Sequence, residues 1–172
     1  RRNLKWSFLT LLAMLWTMPA VAAEPAARDT ELDRYVATPD PAYSWKVVHT
    51  DQQDGLTTYV VDLKSQTWRT TEDVDRTLWQ HWLVIVKPEK VTSETAFLFI
   101  GGGANGRNAP TSANELLLKT ARATGAVAAE IQMIPNQPLV FHDDGQRRTE
   151  DDLIGYAWDQ FLKTGDPTWL PR

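Results

Sequence analysis

The sequence predicts an α/β domain that starts antiparallel and continues with parallel strands and flanking helices. Three observations carry that reading. Residues 45–50 and 56–63 are β-rich runs on either side of Asp51-Gln-Gln-Asp-Gly55. Two such runs joined by a short Asp/Gly loop form an antiparallel hairpin. Residues 95–100 are short and almost wholly apolar, as suits a strand covered on both faces of a parallel sheet. Helix and strand patterns then alternate to the end of the chain, the element order of an α/β fold.

The elements follow in order. Residues 30–36 carry a short helical pattern, with Thr30 and Asp33 at capping-box spacing. Thr38-Pro-Asp-Pro41 stops it. The hairpin comes next, and a third strand at 78–86 ends at Lys87-Pro88. After the apolar strand, residues 101–110 form a glycine-rich loop. Ser112 and Glu115 are spaced as a capping box for a helix running to about Thr124, where Gly125 closes it. Its apolar face is Ala113, Leu116, Leu117 and Ala121. A strand at 126–134 stops at Pro135. Thr149-Glu-Asp-Asp152 caps a last helix, whose Leu153, Ala157 and Phe161, with Ile154, Trp158 and Leu162, make a wide apolar stripe for packing on a sheet. Lys163 and Gly165 mark its end.

The N-terminus has a different character. Arg1, Arg2 and Lys5 precede an apolar stretch to Met18, and Ala20-Val21-Ala22-Ala23 follows. This is the layout of a secretory signal peptide over residues 1–23, cleaved after Ala23. The stretch falls short of the ~20 apolar residues of a spanning helix, so no stable membrane anchor is expected after cleavage. Residues 24–172 would then be the N-terminal portion of a longer, truncated domain, in a protein exported to the periplasm or outside the cell. The chain carries formal charge −4. Removing the leader takes away three bases and no acid. An acidic chain does not attract a polyanion, so nucleic acid is not an expected partner. With no cysteine, disulfides, thiolate catalysis and cysteine-based zinc sites are excluded. The eight tryptophans read as core and rim packing rather than a sugar-binding platform.

The loop Gly101-Gly-Gly-Ala-Asn-Gly106 carries the chemistry. Gly101, Gly103 and Gly106 match a dinucleotide-loop spacing, but Arg107–Thr111 intervene before the Ser112 cap, where that motif opens a helix at once. No cofactor is therefore expected. The other chemistry is an oxyanion hole. In α/β-hydrolases a glycine-rich loop after the third strand donates backbone N–H groups to a tetrahedral intermediate. A tight turn without chemistry uses glycine equally well. None of the five serines lies in a Gly-x-Ser-x-Gly elbow, so this chain contains no catalytic nucleophile. His49 reads as an edge residue and His81 as a packed one. His142 precedes Asp143-Asp144-Gly145 but lacks the spacing of a calcium loop, so no metal site is expected.

The set Tyr43-Ser-Trp45, Ser65-Gln-Thr-Trp68, Leu78-Trp-Gln-His-Trp82, Ile100-Gly-Gly-Gly-Ala-Asn-Gly106, Met133-Ile-Pro-Asn-Gln-Pro138 and Arg148-Thr-Glu-Asp151, in this order, resembles the PhoPQ-activated pathogenicity-related protein family over nearly all of residues 30–170. The resemblance implies an exported, virulence-associated protein containing an α/β-hydrolase-like fold. This chain would be its N-terminal part, incomplete in itself. The family's nucleophile segment, Gly-Ser-Lys-Arg-Gly-Trp, does not occur here. It implies oxyanion-hole candidates in the backbone of Gly102, Gly103 and Ala104. Hydrolases with a His-Gly-Gly-Gly loop have His where this chain has Ile100. Asn105 and Asn136 are candidates for the wall of the site.

Two functions follow as expectations. The full-length form is a serine hydrolase acting on an ester or peptide bond of a small molecule or peptide, with this fragment inactive alone. The alternative is a non-catalytic exported interaction protein on the same fold.

Overall fold

The computed structural model describes residues 30–170. The leader and spacer expectations, at residues 1–29, lie outside the described residues. The architecture is mixed α/β, with a mostly antiparallel five-stranded sheet. Helix α1 (Glu31–Ala37) has the expected capping box: Asp33 N–H donates to the Thr30 hydroxyl, and Thr30 N–H to the Asp33 carboxylate. Strands β1 (Ser44–Gln53), β2 (Leu56–Thr67) and β3 (Leu78–Pro88) form an antiparallel meander. The strand pairing runs further than the composition indicates. Asp51-Gln-Gln53 belongs to β1, and the turn shrinks to Asp54-Gly55, with φ of 52° and 73°. A two-residue loop with both φ positive matches the strand twist, and Asp-Gly suits it.

Beyond the meander, β4 (Phe97–Ile100), α2 (Glu115–Thr124) and β5 (Ala128–Ile131) make a β-α-β unit in which β4 and β5 pair in parallel. β5 also pairs antiparallel with β3, giving the sheet order β1-β2-β3-β5-β4. Among the described strands this is the one parallel pair, fewer than the parallel continuation expected. The larger correction concerns β4. It lies at the sheet edge with Leu98 and Ile100 57% and 63% exposed, not covered on both faces. Its apolar composition does not match its present surroundings.

Helix α2 also starts later than Ser112 indicates. Asn114 is the N-cap, and its Oδ1 accepts from Leu117 N–H at 3.0 Å. Asn and Ser are comparable caps, so composition alone does not choose between them. Leu116 faces outward, while Leu117 and Ala121 are buried against Leu56, Val84, Val86 and Ala128 of the sheet. Gly125 ends the helix in the left-handed region, φ 64°.

A second core forms away from that face. Trp68, Val74, Trp79, Leu139, Phe141, Leu153, Ala157 and Trp169 pack together. Trp68 meets Trp79, Phe141 and Trp169 edge-on, with centroids 5.5–6.3 Å apart, a favoured aromatic geometry. Two short strands, β6 (Leu139–Val140) and β7 (Arg147–Arg148), form its floor. Helix α3 (Glu150–Thr164) contributes Leu153 and Ala157. Its stripe therefore packs on an aromatic cluster that includes Trp79 of β3, and half of it has no cover: Ile154, Trp158 and Leu162 are exposed. Arg148, buried, stacks over Tyr156 at 3.9 Å and forks onto Asp144 at 3.0 and 2.6 Å, which holds the Asp144 carboxyl down at about 2.

The glycines separate two effects. A Cβ on Gly125 would lie 2.1 Å from Thr92 Oγ1, at a φ L-residues disfavour. Gly155, inside α3, has open space. Gly125→Ala is expected to lower stability by about 1–3 kcal/mol, and Gly155→Ala to raise it by about 0.5–1 kcal/mol. Denaturant midpoints of the two variants check both signs.

Candidate functional site

The site begins where β4 ends. Gly101 N–H donates to Ile131 O at 2.7 Å, carrying the parallel pairing past both strands. Met133 N–H and Ile134 N–H then donate to the carbonyls of Gly102 and Gly101, at 3.0 and 3.1 Å. Asn105 closes the loop: its N–H donates to Gln137 O at 2.5 Å and its Nδ2 to Pro138 O at 3.0 Å. The N–H groups of Gly102, Gly103 and Ala104 make no hydrogen bond within the described residues. Three successive backbone amides at the carboxyl end of a parallel strand are thus left without an acceptor among the described residues.

Glycine is required here by space as well as by conformation. Gly103 has φ 131°, and a Cβ on it would stand 3.1 Å from Arg107 Nη1. A Cβ on Gly101 would meet Glu130 Oε1 at 3.0 Å. Gly106, φ 78°, turns the chain so that Arg107 returns over Gly103. Arg107 O accepts from Trp82 Nε1 at 2.9 Å, which ties the far end of the loop to β3.

The five candidate residues do not share one environment. Gly102, Gly103, Ala104 and Asn105 lie together on the loop, with Gly102 and Ala104 exposed. Asn136 is buried, and its amide is engaged with backbone. Its Oδ1 accepts from Gln80 N–H at 2.9 Å, and its Nδ2 donates to Gln80 O at 2.9 Å and Met133 O at 3.0 Å. It joins β3 to the 133–138 segment that holds the loop.

His81 completes that junction. Both hydrogens of Asn136 Nδ2 are taken by carbonyls. His81 Nδ1 faces Gln132 O and Met133 O at 3.2 and 3.1 Å, and these groups only accept. Nδ1 therefore carries the proton, and Nε2 accepts from the Ser65 hydroxyl at 2.8 Å. Ser65 is the extra residue of a β-bulge in β2, the device that re-aims a side chain within a ladder. Burial pushes the His81 pKa below its ordinary 6.5 against the pull of the two carbonyls. His49 and His142 are exposed, and among the described residues no cluster of His, Asp and Glu is placed to hold a metal.

Gln137 and Glu150 stand at the site without having been among the site candidates. Gln137, buried, grips the start of α3: its Oε1 accepts from Glu150 N–H at 2.5 Å, and its Nε2 donates to the Glu150 carboxylate. Thr149, at the N-cap position, makes no side-chain cap. The Glu150 carboxylate consequently lies 3.9 Å from where a Gly102 Cβ would be. Gln137 and Glu150 fall in two separate motifs thirteen residues apart, and no local signal pairs them.

These features define an α/β domain presenting a glycine loop of unengaged amides at the end of a parallel edge strand. The chain belongs to the PhoPQ-activated pathogenicity-related protein family, which it matches over residues 32–172. It is 40% identical over 145 residues to autocrine proliferation repressor protein A of Dictyostelium discoideum, covering 83% of this chain and 29% of that protein. The chain thus spans under a third of that relative's length. Among solved structures, a glucuronoyl esterase from Solibacter usitatus aligns with TM-score 0.35 and 13% identity, over 76% of this chain and 44% of that one. Among the described residues no helix is long and apolar enough to cross a membrane.

Asn136→Ala leaves Gln80 N–H without its acceptor in the interior, and is expected to cost at least about 2 kcal/mol; a denaturant midpoint reads it. His81 yields a pH dependence. Its folded pKa lies below its unfolded value, so below pH 6.5 the unfolded chain binds the proton first. Stability is expected to be full above pH 6.5 and to fall as pH drops toward the folded value. His81→Gln should flatten that part of the pH profile.

Proposed function

We propose that the full-length protein is an exported serine hydrolase acting on an ester or peptide bond, to which these residues contribute the oxyanion side of the site. The observation that carries this reading is the trio of unengaged amides at Gly102–Ala104, set at the carboxyl end of β4. Among the described residues the other edge of β4 is unpaired. A further parallel strand against that edge would end beside the same amides. A serine at its end would stand where its attack on a carbonyl directs the developing oxyanion to them. Its base and acid would come from outside residues 1–172, as would the serine. The loop needs no movement to act, since its carbonyls and Asn105 are already bonded to the 133–138 segment.

A second reading, an exported interaction protein without catalysis, draws on the exposed Ile154, Trp158 and Leu162 of α3. It also fits a relative whose name describes a proliferation repressor.

A fluorophosphonate probe distinguishes the two. Hydrolysis predicts that the full-length protein is labelled and that residues 1–172 alone are not. Absence of labelling in both, with no esterase or peptidase turnover, would leave the interaction protein. In the full-length enzyme, Gly103→Val is expected to lower kcat by about 100-fold, since it disturbs the loop's φ and displaces Arg107. Steady-state kinetics with an unchanged unfolding midpoint would assign that loss to the site.

A further inference from the structure

Arg107 packs its side chain on Gly103 of the loop. Among the described residues its guanidinium makes no hydrogen bond and no ion pair. The residue is exposed, but its backbone is fixed. Its own carbonyl is pinned by Trp82 Nε1 at 2.9 Å. Gly106 turns the chain back, and the side chain then lies on Gly103, with Nη1 3.1 Å and Cδ 3.5 Å from the space a Cβ would fill. The absent side chain at Gly103 is what admits the guanidinium. An unpaired, permanently charged fork is therefore set beside three unengaged amides.

Two carboxylates also stand at the loop. Glu130 and Glu150 stand against Gly101 and Gly102. Each is held by amide donors: Glu130 by Asn114 Nδ2 and Gln132 Nε2, Glu150 by Gln137 Nε2. An anion approaching the loop would meet two like charges unless a cation faced it, and Arg107 is placed to be that cation. Single N–H groups suit a single oxygen. A planar fork suits the paired oxygens of a carboxylate.

We propose that Arg107 anchors a carboxylate carried by the substrate, so that the Gly102–Ala104 site takes anionic esters or peptides, such as half-esters of short dicarboxylic acids, in preference to neutral ones. This rests on the hydrolase reading above for its turnover, but the binding of the carboxylate does not.

The test uses the full-length protein with p-nitrophenyl acetate and mono-p-nitrophenyl glutarate, in wild type, Arg107→Gln and Arg107→Lys. The ratio of kcat/KM for the anionic over the neutral ester is expected to fall about tenfold in Arg107→Gln, and to recover in part in Arg107→Lys. High salt should reduce the wild-type ratio toward that of Arg107→Gln. An unchanged ratio, or equal losses on both esters, would overturn the assignment. Glutarate binding is measured in parallel through the amide NMR signals of Gly102, Gly103 and Ala104. If neither ester is turned over but glutarate shifts those signals in wild type and not in Arg107→Gln, hydrolysis fails and the anion site stands. If glutarate shifts nothing, the anion site fails whatever the turnover.

Discussion

The arrangement depends on one buried amide. Asn136 satisfies both backbone groups of Gln80 and the carbonyl of Met133 from a position with almost no solvent access. In that setting each of these groups would be expensive to leave unpaired. The bond set fixes the 133–138 segment to β3. That segment then holds Gly101 and Gly102 by their carbonyls and Asn105 by its N–H and side chain. Through the neighbouring Gln137 it also sets the start of α3. The glycine loop owes its shape less to its own residues than to a polar junction beneath the sheet's end. His81 adds a neutral ring to the same junction, with its tautomer dictated by carbonyls on one side and the Ser65 hydroxyl on the other.

What the sequence made legible was local. The Thr30–Asp33 box, a turn within residues 51–55 and the glycine ends of α2 and α3 each involve residues a few positions apart, where side-chain type decides backbone conformation directly. The pairing of the first two strands followed from the hairpin pattern. The failures share a cause. Ser112 and Asn114 are chemically alike as caps, and only the fit of Leu117 and Ala121 onto the sheet selects the later one. The wide stripe of α3 correctly signals an apolar face, but its period cannot say that the partner is an aromatic cluster built from β3, β6 and the loops. At the site, the glycines were readable because φ and close approach exclude other residues there. The interior place of Asn136 and the Gln137 grip on Glu150 come from long-range packing, which no spacing rule encodes.

Apolar surface without cover is distributed in a way that is not random. Trp45, Val47, Tyr59, Leu63, Leu83 and Ile85 border an apolar groove of about 350 Å³ on the sheet, while α2 packs against Leu56, Val84 and Val86. The second core, by contrast, is closed, with Trp68, Phe141 and Leu153 almost inaccessible. The described residues therefore combine one finished core with a sheet finished on one side. A monomer's largest exposed apolar patches mark places of contact. Here they are the sheet groove, the β4 edge and the outer stripe of α3, and the amide loop lies at the end of one of them.

The parallel pairing of β4 has a consequence for the order in which the chain assembles. The meander closes through neighbours: β1 reaches β2 across two residues, and its ladder can zip from Asp54-Gly55 outward. β4 has no such partner nearby. Its first hydrogen-bonded neighbour, β5, follows after the whole loop and α2, and β5 must also dock on β3. Closing that longer span carries an entropy cost that a hairpin avoids. During synthesis, Phe97-Leu-Phe-Ile100 emerges before anything can pair with it. The segment that ends at the amide loop is thus the one whose wait is built into the topology, and a nascent chain would depend on keeping those four residues from other strands until α2 and β5 arrive.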